Sequence, residues 1–316
     1  MSAPAALRVS AAGLEFQNPI LLAAGTAGYG HELAGVMDLA GVGGLVTKAV
    51  SRVPRQGAPA PRVAEFDGGM INAVGLANPG VDEVCRTHLP WLATAIPATR
   101  KLVNVVGFVV DEFADVVSRL EASPHAARAI DGYELNVSCP NTKAGGMEFG
   151  ADDAALAAVV AGARAATRRP LFVKLSPTLG DIARTARVAV DAGADGITVV
   201  NTIPGLVIDV EARRPVLGFG TGGVSGSAIL PVGVLAAWKV TRALPGVPVI
   251  GLGGVRTAAD ALQYVLAGAS LVGMGTAALR DPRRPARVVR DLGRWCAAHG
   301  VASLASIRGT LEWPPA

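Results

Sequence analysis

The chain has few aromatic residues and no long uninterrupted apolar run. Aromatic residues are only 4% of its 316 residues although 51% are hydrophobic, so we expect a core of Ala, Val, Leu and Ile. The apolar runs end well short of the ~18 residues that a membrane-spanning helix needs. Arg8 and Glu15 interrupt the region where a secretory signal would be apolar. We therefore expect a cytoplasmic protein that does not span a membrane.

Cysteine is also scarce, and the three that occur, Cys85, Cys139 and Cys296, lie far apart. The sequence has no Cys-x-x-Cys pair and no Cys/His cluster. These absences exclude a disulfide framework and a zinc or iron–sulfur site on this chain. We predict reduced thiols and no bound metal.

Dense basic patches are missing too, although the net charge is +4 and the isoelectric point is near 9.2. The basic residues come as scattered pairs such as Arg168-Arg169 and Arg283-Arg284. This pattern favours solvated surface over nucleic-acid binding. It is also compatible with an anionic small substrate or a phosphate-bearing cofactor.

Short apolar runs recur between Ala-rich segments of helical character. The runs are Ile20–Ala24, Leu45–Thr47, Leu102–Val106, Tyr133–Val137, Leu171–Leu175, Ile197–Val200, Val249–Leu252 and Leu271–Met274. Apolar strands that alternate with helices indicate a parallel sheet covered on both faces, and eight of them indicate a (β/α)8 barrel. Since no linker divides the sequence, we predict one domain over residues 1–316.

Four helices are predicted between these strands, and two Gly- and Pro-rich insertions interrupt the pattern. The helices are Asp152–Thr167, Ile182–Ala192, Val232–Leu244 and Ala258–Ala267, and the insertions are Ser51–Thr99 and Thr202–Pro231. Loops of this length in a compact domain are usually lids or interface elements.

Small, amide or amine residues end all eight runs. They are Gly25, Lys48, Asn104, Asn136, Lys174, Asn201, Gly253 and Gly275. In a barrel these strand ends converge on the C-terminal mouth, where active sites of this fold are built. Any one of them could merely cap a helix or satisfy a loop, but three Asn and two Lys together predict a polar pocket.

One strand end leads into the segment Asn136-Val137-Ser138-Cys139-Pro140-Asn141, which sets a thiol between two amides. A free cysteine is ordinarily a small buried hydrophobe. Here Pro140 restricts the backbone beside the thiol, and the glycines that follow, Gly145 and Gly146, allow a movable flap. The pattern is typical of an active-site loop with Cys139 as its reactive group.

Two glycine turns, Ile250-Gly251-Leu252-Gly253-Gly254-Val255 and Val272-Gly273-Met274-Gly275-Thr276, end the last two strands, where barrels commonly hold a phosphate. The first of them lacks the spacing and the acidic partner of a dinucleotide-binding crevice. A phosphate beside amides, two lysines and a thiol favours FMN beneath a small planar substrate.

Several motifs, in the same order along nearly the whole chain, resemble the dihydroorotate dehydrogenase family. They are Asn72-Ala73-Val74-Gly75-Leu76, Asn136-Val137-Ser138-Cys139-Pro140-Asn141, Asn201-Thr202, Gly222-Gly223-Val224-Ser225-Gly226 and Gly251-Leu252-Gly253-Gly254. Cys139 is similar to the base of the family's soluble class, since the membrane-associated class has serine there. The segments Lys143-Ala144-Gly145-Gly146, Ile208-Asp209-Val210-Glu211 and Arg214-Pro215-Val216-Leu217 are similar to its NAD-linked branch.

The resemblance implies a site and a reaction. Cys139 would take a proton from C5 of (S)-dihydroorotate while hydride passes from C6 to FMN, giving orotate in UMP biosynthesis, with Lys48 as the second catalytic residue. Substrate would contact Lys48, Asn72, Ala73, Val74, Gly75, Leu76, Asn136, Asn141, Asn201 and Thr202. FMN would contact Ala24, Gly25, Lys48, Ala49, Asn104, Asn136, Lys174, Val200, Gly226, Gly253, Gly254, Gly275 and Thr276.

The resemblance also implies a partner, an electron-transfer subunit with FAD and a [2Fe–2S] cluster that joins a homodimeric core in a heterotetramer and passes electrons to NAD+. Alternatives are a fumarate-linked homodimer and a flavin-dependent dihydropyrimidine or dihydrouridine oxidoreductase. A third is a barrel that has lost its chemistry and only binds. Ala24, where serine is frequent, and Pro204, where a larger apolar residue is usual, depart from the family pattern.

Overall fold

The computed structural model describes residues 5–138 and 148–314, and a closed parallel barrel forms its centre. The strands are β1 (Val9–Ala11), β2 (Leu14–Phe16), β3 (Ile20–Leu22), β4 (Gly44–Val46), β5 (Val63–Phe66), β6 (Gly69–Asn72), β7 (Arg100–Val105), β8 (Gly132–Asn136), β9 (Leu171–Leu175), β10 (Gly196–Val199), β11 (Ile203–Gly205), β12 (Ile208–Asp209), β13 (Arg214–Pro215), β14 (Gly222–Ser225), β15 (Val249–Leu252) and β16 (Leu271–Met274). The barrel order is β3-β4-β7-β8-β9-β10-β15-β16, and β16 pairs back onto β3. The predicted (β/α)8 barrel is confirmed, and each predicted apolar run overlaps one barrel strand.

Helices follow the barrel strands and cover the outside of the barrel. They are α1 (His31–Ala34), α2 (Val81–Glu83), α3 (Leu89–Ala95), α4 (Val110–Glu121), α5 (Ala126–Ala129), α6 (Asp153–Ala166), α7 (Ile182–Asp191), α8 (Leu230–Ala243), α9 (Ala258–Leu266), α10 (Thr276–Arg280) and α11 (Arg284–Ala298). A π-helical turn, Val84–His88, joins α2 to α3. The four predicted helices correspond to α6, α7, α8 and α9. Three of them, α6, α7 and α9, begin after an N-cap residue whose side chain accepts hydrogen bonding from backbone N–H groups of the first turn. These N-cap residues are Asp152, Asp181 and Thr257.

The helices pack through apolar stripes at helical spacing. In α6, for example, Leu156, Val159, Val160 and Ala163 are fully buried and belong to the main core between the barrel and its helices. Full burial of each larger aliphatic side chain contributes roughly 1.5–3 kcal/mol. The core is therefore aliphatic, as the composition predicts.

A second core fills the amino-terminal end of the barrel. The β1–β2 hairpin places Phe16 against inward-facing residues of the strands, among them Leu102 and Phe172. Gly196, next to Phe172 on the neighbouring strand, leaves room for this ring, because an added Cβ would lie 2.4 Å from it. This end of the barrel is closed and apolar.

The two insertions are more ordered than the predicted long loops. Val81, Val84, Leu89 and Leu92 are apolar at helical spacing and buried, so the second half of the segment 51–99 forms α2, the π turn and α3. The remainder contributes β5 and β6, which join β14 and β11 from the other insertion in a four-stranded sheet. In the part of the chain that the structure describes, no helix is long and apolar enough to cross a membrane.

Candidate active site

A cavity of about 470 Å³ lies between the carboxyl ends of the barrel strands and the four-stranded sheet. Strand ends form its floor, with Lys48, Asn104, Asn136 and Lys174 among the lining residues. The opposite wall comes from β6 and β14, which pair through Met70 and Ser225. The cavity is therefore at the barrel mouth where the strand-end pattern predicts a pocket.

A smaller cavity of about 370 Å³ adjoins the first and shares Asn201 and Thr202 with it. Every predicted site residue that the structure describes lines one of the two cavities. The larger cavity includes Ala24, Gly25, Lys48, Ala49, Asn72, Val74, Leu76, Asn104, Asn136, Lys174, Val200, Gly226, Gly253, Gly254, Gly275 and Thr276, and the smaller one Ala73 and Gly75. Cys139 and Asn141 lie outside the described residues, so their predicted roles stay predictions.

The larger cavity is cationic. Its described lining contains Lys48, Lys174, Arg256 and Arg280 and no Asp or Glu. Arg280 pairs with Glu65, which lies outside the lining, through Nε and Oε1 atoms 3.0 Å apart. An excess of cationic groups over acidic ones concentrates anions in a cleft. The cavity is therefore suited to a ligand that carries more than one negative charge.

The ammonium groups of the two lysines are available to a ligand. Lys174 is only 6% exposed, and among the described residues neither its Nζ nor that of Lys48 has a hydrogen-bond or ion-pair partner. An unpaired buried ammonium group is costly to desolvate. The buried ammonium group of Lys174 and the half-buried one of Lys48 are therefore expected to pair with ligand oxygens.

Amide side chains at the ends of β8 and β10 supply directional contacts. Asn136 Oδ1 accepts hydrogen bonds from Asn201 Nδ2 at 3.4 Å and from the Ser138 backbone N–H at 3.3 Å. Asn201 Oδ1 in turn accepts from the backbone N–H of Thr202 at 2.8 Å. These bonds orient both amides and leave Asn136 Nδ2 without a partner in the described part of the chain, as a donor for a ligand.

The opposite wall of the site is fixed by Asn72 and Asn78. Asn72 Nδ2 donates to the Gly223 carbonyl across the β6–β14 pair at 3.1 Å. Asn78 is buried and donates to Ser51 Oγ and to the carbonyl of Leu76, both at 2.8 Å. Leu76 has a positive φ of 57°, a strained conformation for a leucine. Asn78 therefore holds the turn that presents Leu76 to the cavity.

Glycines bring the backbone close to the far end of the cavity. Gly254 has a φ of +75°, and an added Cβ would lie 2.6 Å from Leu230 Cβ, so only glycine fits there. The N–H groups of Gly254 and Thr276 have no acceptor among the described residues. Ser225 Oγ accepts a hydrogen bond from the Thr276 hydroxyl at 2.8 Å. This bond connects β14 of the four-stranded sheet to the segment that follows barrel strand β16. Free N–H groups beside glycine turns suit a phosphate.

The residues of the larger cavity fit FMN. Its phosphate matches the free N–H groups at Gly254 and Thr276, and the unpaired lysines match its anionic form. Asn104 Oδ1 is buried without a partner among the described residues, which leaves an acceptor for a ring N–H. Bound FMN supplies a two-electron acceptor at this mouth.

The structure also places polar residues in the smaller cavity that sequence reasoning missed. Glu148, Ser176 and Thr178 line it, and the hydroxyls of Ser176 and Thr178 are 2.7 Å apart. Burial raises the pKa of Glu148 above its usual range, although a hydrogen bond from Ser176 opposes the shift. Ser176 follows β9 directly, so the strand-end rule that identified Lys174 could have included it.

Comparisons with known proteins agree with this geometry. The family model described as dihydroorotate dehydrogenase matches residues 6–295. The protein named dihydroorotate dehydrogenase B (NAD(+)), catalytic subunit, from Pelobacter propionicus is 44% identical, over 97% of this chain and 98% of its own. Proteins of the same name from Trichlorobacter lovleyi and Desulforudis audaxviator are 44% and 46% identical, over 97% and 95% of this chain and 99% and 96% of their own. The chain belongs to the dihydroorotate dehydrogenase family.

Proposed function

We propose that this chain is the catalytic subunit of an NAD+-linked dihydroorotate dehydrogenase, which oxidises (S)-dihydroorotate to orotate in UMP biosynthesis. The observation that carries the proposal is the cationic cavity whose described lining has no carboxylate. Dihydroorotate is a carboxylate and FMN is a phosphate ester, so both need cationic or N–H partners. For these groups the cavity offers two glycine turns and two lysines that have no partner among the described residues.

The chain's residues divide the work of binding and proton transfer. Asn72, Asn136 and Asn201 line the substrate side and offer donors and acceptors to the cyclic ureide of dihydroorotate. Lys48 lines the larger cavity, where it would pair with negative charge on either ligand. Cys139 is the proposed base: its thiolate takes the proton from C5, and the C5–C6 double bond forms as the hydride on C6 leaves, for which bound FMN would supply the two-electron acceptor. An unperturbed thiol has a pKa of about 8.5, so turnover is expected to rise toward alkaline pH.

The proposed assembly is a homodimeric core in a heterotetramer with an electron-transfer subunit that carries FAD and a [2Fe–2S] cluster, in the cytoplasm. The relatives support the NAD+-linked branch, because each is named as a catalytic subunit with NAD(+). A separate cluster-bearing subunit agrees with the sequence, whose three scattered cysteines cannot hold a cluster. No observation favours the fumarate-linked or dihydrouridine alternatives.

Steady-state assays with and without the partner test the proposal. The FMN-loaded chain alone should oxidise dihydroorotate with an artificial electron acceptor but form no NADH. Addition of the electron-transfer subunit should give dihydroorotate-dependent NADH formation. Rapid turnover with fumarate as acceptor would instead support the homodimeric branch. An FMN-loaded chain that is inert toward dihydroorotate with every acceptor would refute the proposed function.

A further inference from the structure

A carboxylate that the proposed mechanism does not use lies inside the barrel, directly below the larger cavity. Glu134 is 1% exposed and accepts two hydrogen bonds, from Asn104 Nδ2 at 2.8 Å and from the Thr198 hydroxyl at 2.9 Å. Asn104 is its register partner on β7, and Thr198 lies two strands away on β10. The carboxylate therefore spans β9, the strand that carries Lys174, and ties three barrel strands together.

This arrangement fixes which end of the Asn104 amide faces the carboxylate. A carboxylate accepts hydrogen bonds and donates none, so Asn104 must present its NH₂ group to Glu134. Its Oδ1 is then directed away, and this atom is buried and without a partner among the described residues. The Asn104 backbone is held independently, because its N–H donates to Thr47 Oγ1 at 3.2 Å.

Asn104 lines the cavity that fits FMN, whereas Glu134 does not. We propose that Glu134 is a positioning residue: it locks the Asn104 amide so that Oδ1 is an acceptor for a ring N–H of bound FMN. The inference rests on the proposed function, since it takes FMN as the ligand. Without Glu134 the amide could rotate and present its NH₂ group, which cannot accept from a ring N–H.

Exchange of the amide and carboxylate groups between positions 104 and 134 tests this positioning role, which we call the lock. Asn104→Asp alone puts two carboxylates face to face, and we expect the FMN dissociation constant to rise at least about tenfold. Combined with Glu134→Gln, the polarity reverses: Gln donates to Asp through Nε2 and accepts from Thr198 through Oε1. The Asp oxygen opposite remains an acceptor toward the cavity. We expect this double variant to recover FMN binding to within about threefold of the parent protein.

The readout is the FMN dissociation constant of the full-length apoprotein, from quenching of flavin fluorescence. Asp67→Asn in the Asn104→Asp background is the charge control, because Asp67 is exposed beside the lining residues Gly68 and Gly69, and its removal restores the net charge at the mouth without restoring hydrogen-bond polarity. The lock predicts that this control stays weak. The inference is overturned if the reciprocal double variant binds FMN no better than Asn104→Asp, or if the charge control recovers as much.

A second pair of variants covers failure of Asn104→Asp to fold. Glu134→Leu and Asn104→Leu should each weaken FMN binding, and the double variant should bind like Asn104→Leu alone, because Glu134 acts only through Asn104. Effects that multiply in the double variant would overturn the inference. A parent protein that fails to bind FMN would instead refute the proposed function, so the two failures are distinguishable.

Discussion

At the closed end of the barrel, Phe16 and Phe172 fill the space between the strands with apolar contacts. Toward the open end, two residues after Phe172 on β9, Lys174 is 6% exposed, and Glu134 on β8 is 1% exposed, so this end also buries side chains, but they are polar. The closed end is therefore an ordinary apolar core. At the open end, the amide oxygen of Asn104 and the ammonium groups of Lys48 and Lys174 have no partners among the described residues.

The two ends of the barrel therefore serve different purposes: the closed end stabilises the fold, and the open end binds ligands. Apolar packing stabilises the fold at one end, and groups that await a ligand are retained at the other, where they reduce the stability of the protein without its ligand. The comparison predicts that substitutions at the closed end change stability and leave binding intact. Substitutions at the open end that remove an ammonium group without a partner should change binding or turnover and leave stability unchanged or improved.

The largest expected effect is on turnover, from Cys139→Ala. Removal of the proposed base should lower turnover with dihydroorotate by about 10²–10⁴-fold, because general base catalysis contributes on this scale. FMN should remain bound, and Cys139→Ser should be slow and partly recovered at high pH. Stopped-flow reduction of the flavin measures each rate. Reduction of Cys139→Ala at the parental rate would show that the base is another group.

Phe16→Ala should give the largest change in stability. Loss of a fully packed ring at the closed end should lower the free energy of unfolding by about 3–5 kcal/mol. Denaturant unfolding of the apoprotein measures it, with Phe219→Ala as control, since Phe219 is 65% exposed. FMN affinity of the folded protein should not change. A weakened FMN affinity would contradict the independence of the two ends.

Substitution by methionine should change the stability of the apoprotein in opposite directions at two buried lysines, Lys101 on β7 and Lys174 on β9. Lys174 has no partner among the described residues, so Lys174→Met should raise apoprotein stability by about 1 kcal/mol and weaken FMN binding by about tenfold or more. Lys101 is 4% exposed and pairs with Asp131 at 3.5 Å, so Lys101→Met should lower stability by roughly 1–3 kcal/mol. Thermal melts and FMN titrations check both. If both substitutions changed apoprotein stability in the same direction, the distinction between a paired and an unpaired buried lysine would be contradicted.

Glu148→Gln should have the smallest effect, in the smaller cavity. Above its raised pKa, Glu148 becomes negative beside the site for an anionic substrate, so the KM for dihydroorotate should rise as the pH rises through that pKa. The Gln variant should lose this rise and lower KM by about two- to threefold at neutral pH. KM measured from about pH 5 to about pH 8 tests it. If KM changed with pH in the same way in the parent protein and in Glu148→Gln, a group other than Glu148 would cause the pH dependence.

Much of the fold follows from the sequence because the barrel strands are buried on both faces. Continuous apolar runs such as Leu171–Leu175 and Val249–Leu252 have the bounds of β9 and β15. The strand-end rule also brought Lys48, Asn104 and Lys174 to one mouth. The assignment of one domain to residues 1–316 stays a prediction.

What the sequence could not predict depends on contacts between distant strands. Glu134 lies inside an apolar run, and its role becomes visible only when Asn104 and Thr198 lie against it. Glu148 likewise acquires its raised pKa from burial at the smaller cavity, which sequence alone does not show. The helices of the segment 51–99 were missed because glycine and proline at its start mask the later helical spacing of Val81, Val84 and Leu89.

Anaerobic titration of the purified, FMN-loaded chain with L-dihydroorotate tests the central claim most directly. The cavity is proposed to hold FMN and dihydroorotate together, so flavin absorbance should bleach with one equivalent of dihydroorotate per bound FMN. Bound FMN that stays oxidised under excess dihydroorotate would contradict the account, because the cationic mouth would then serve another substrate.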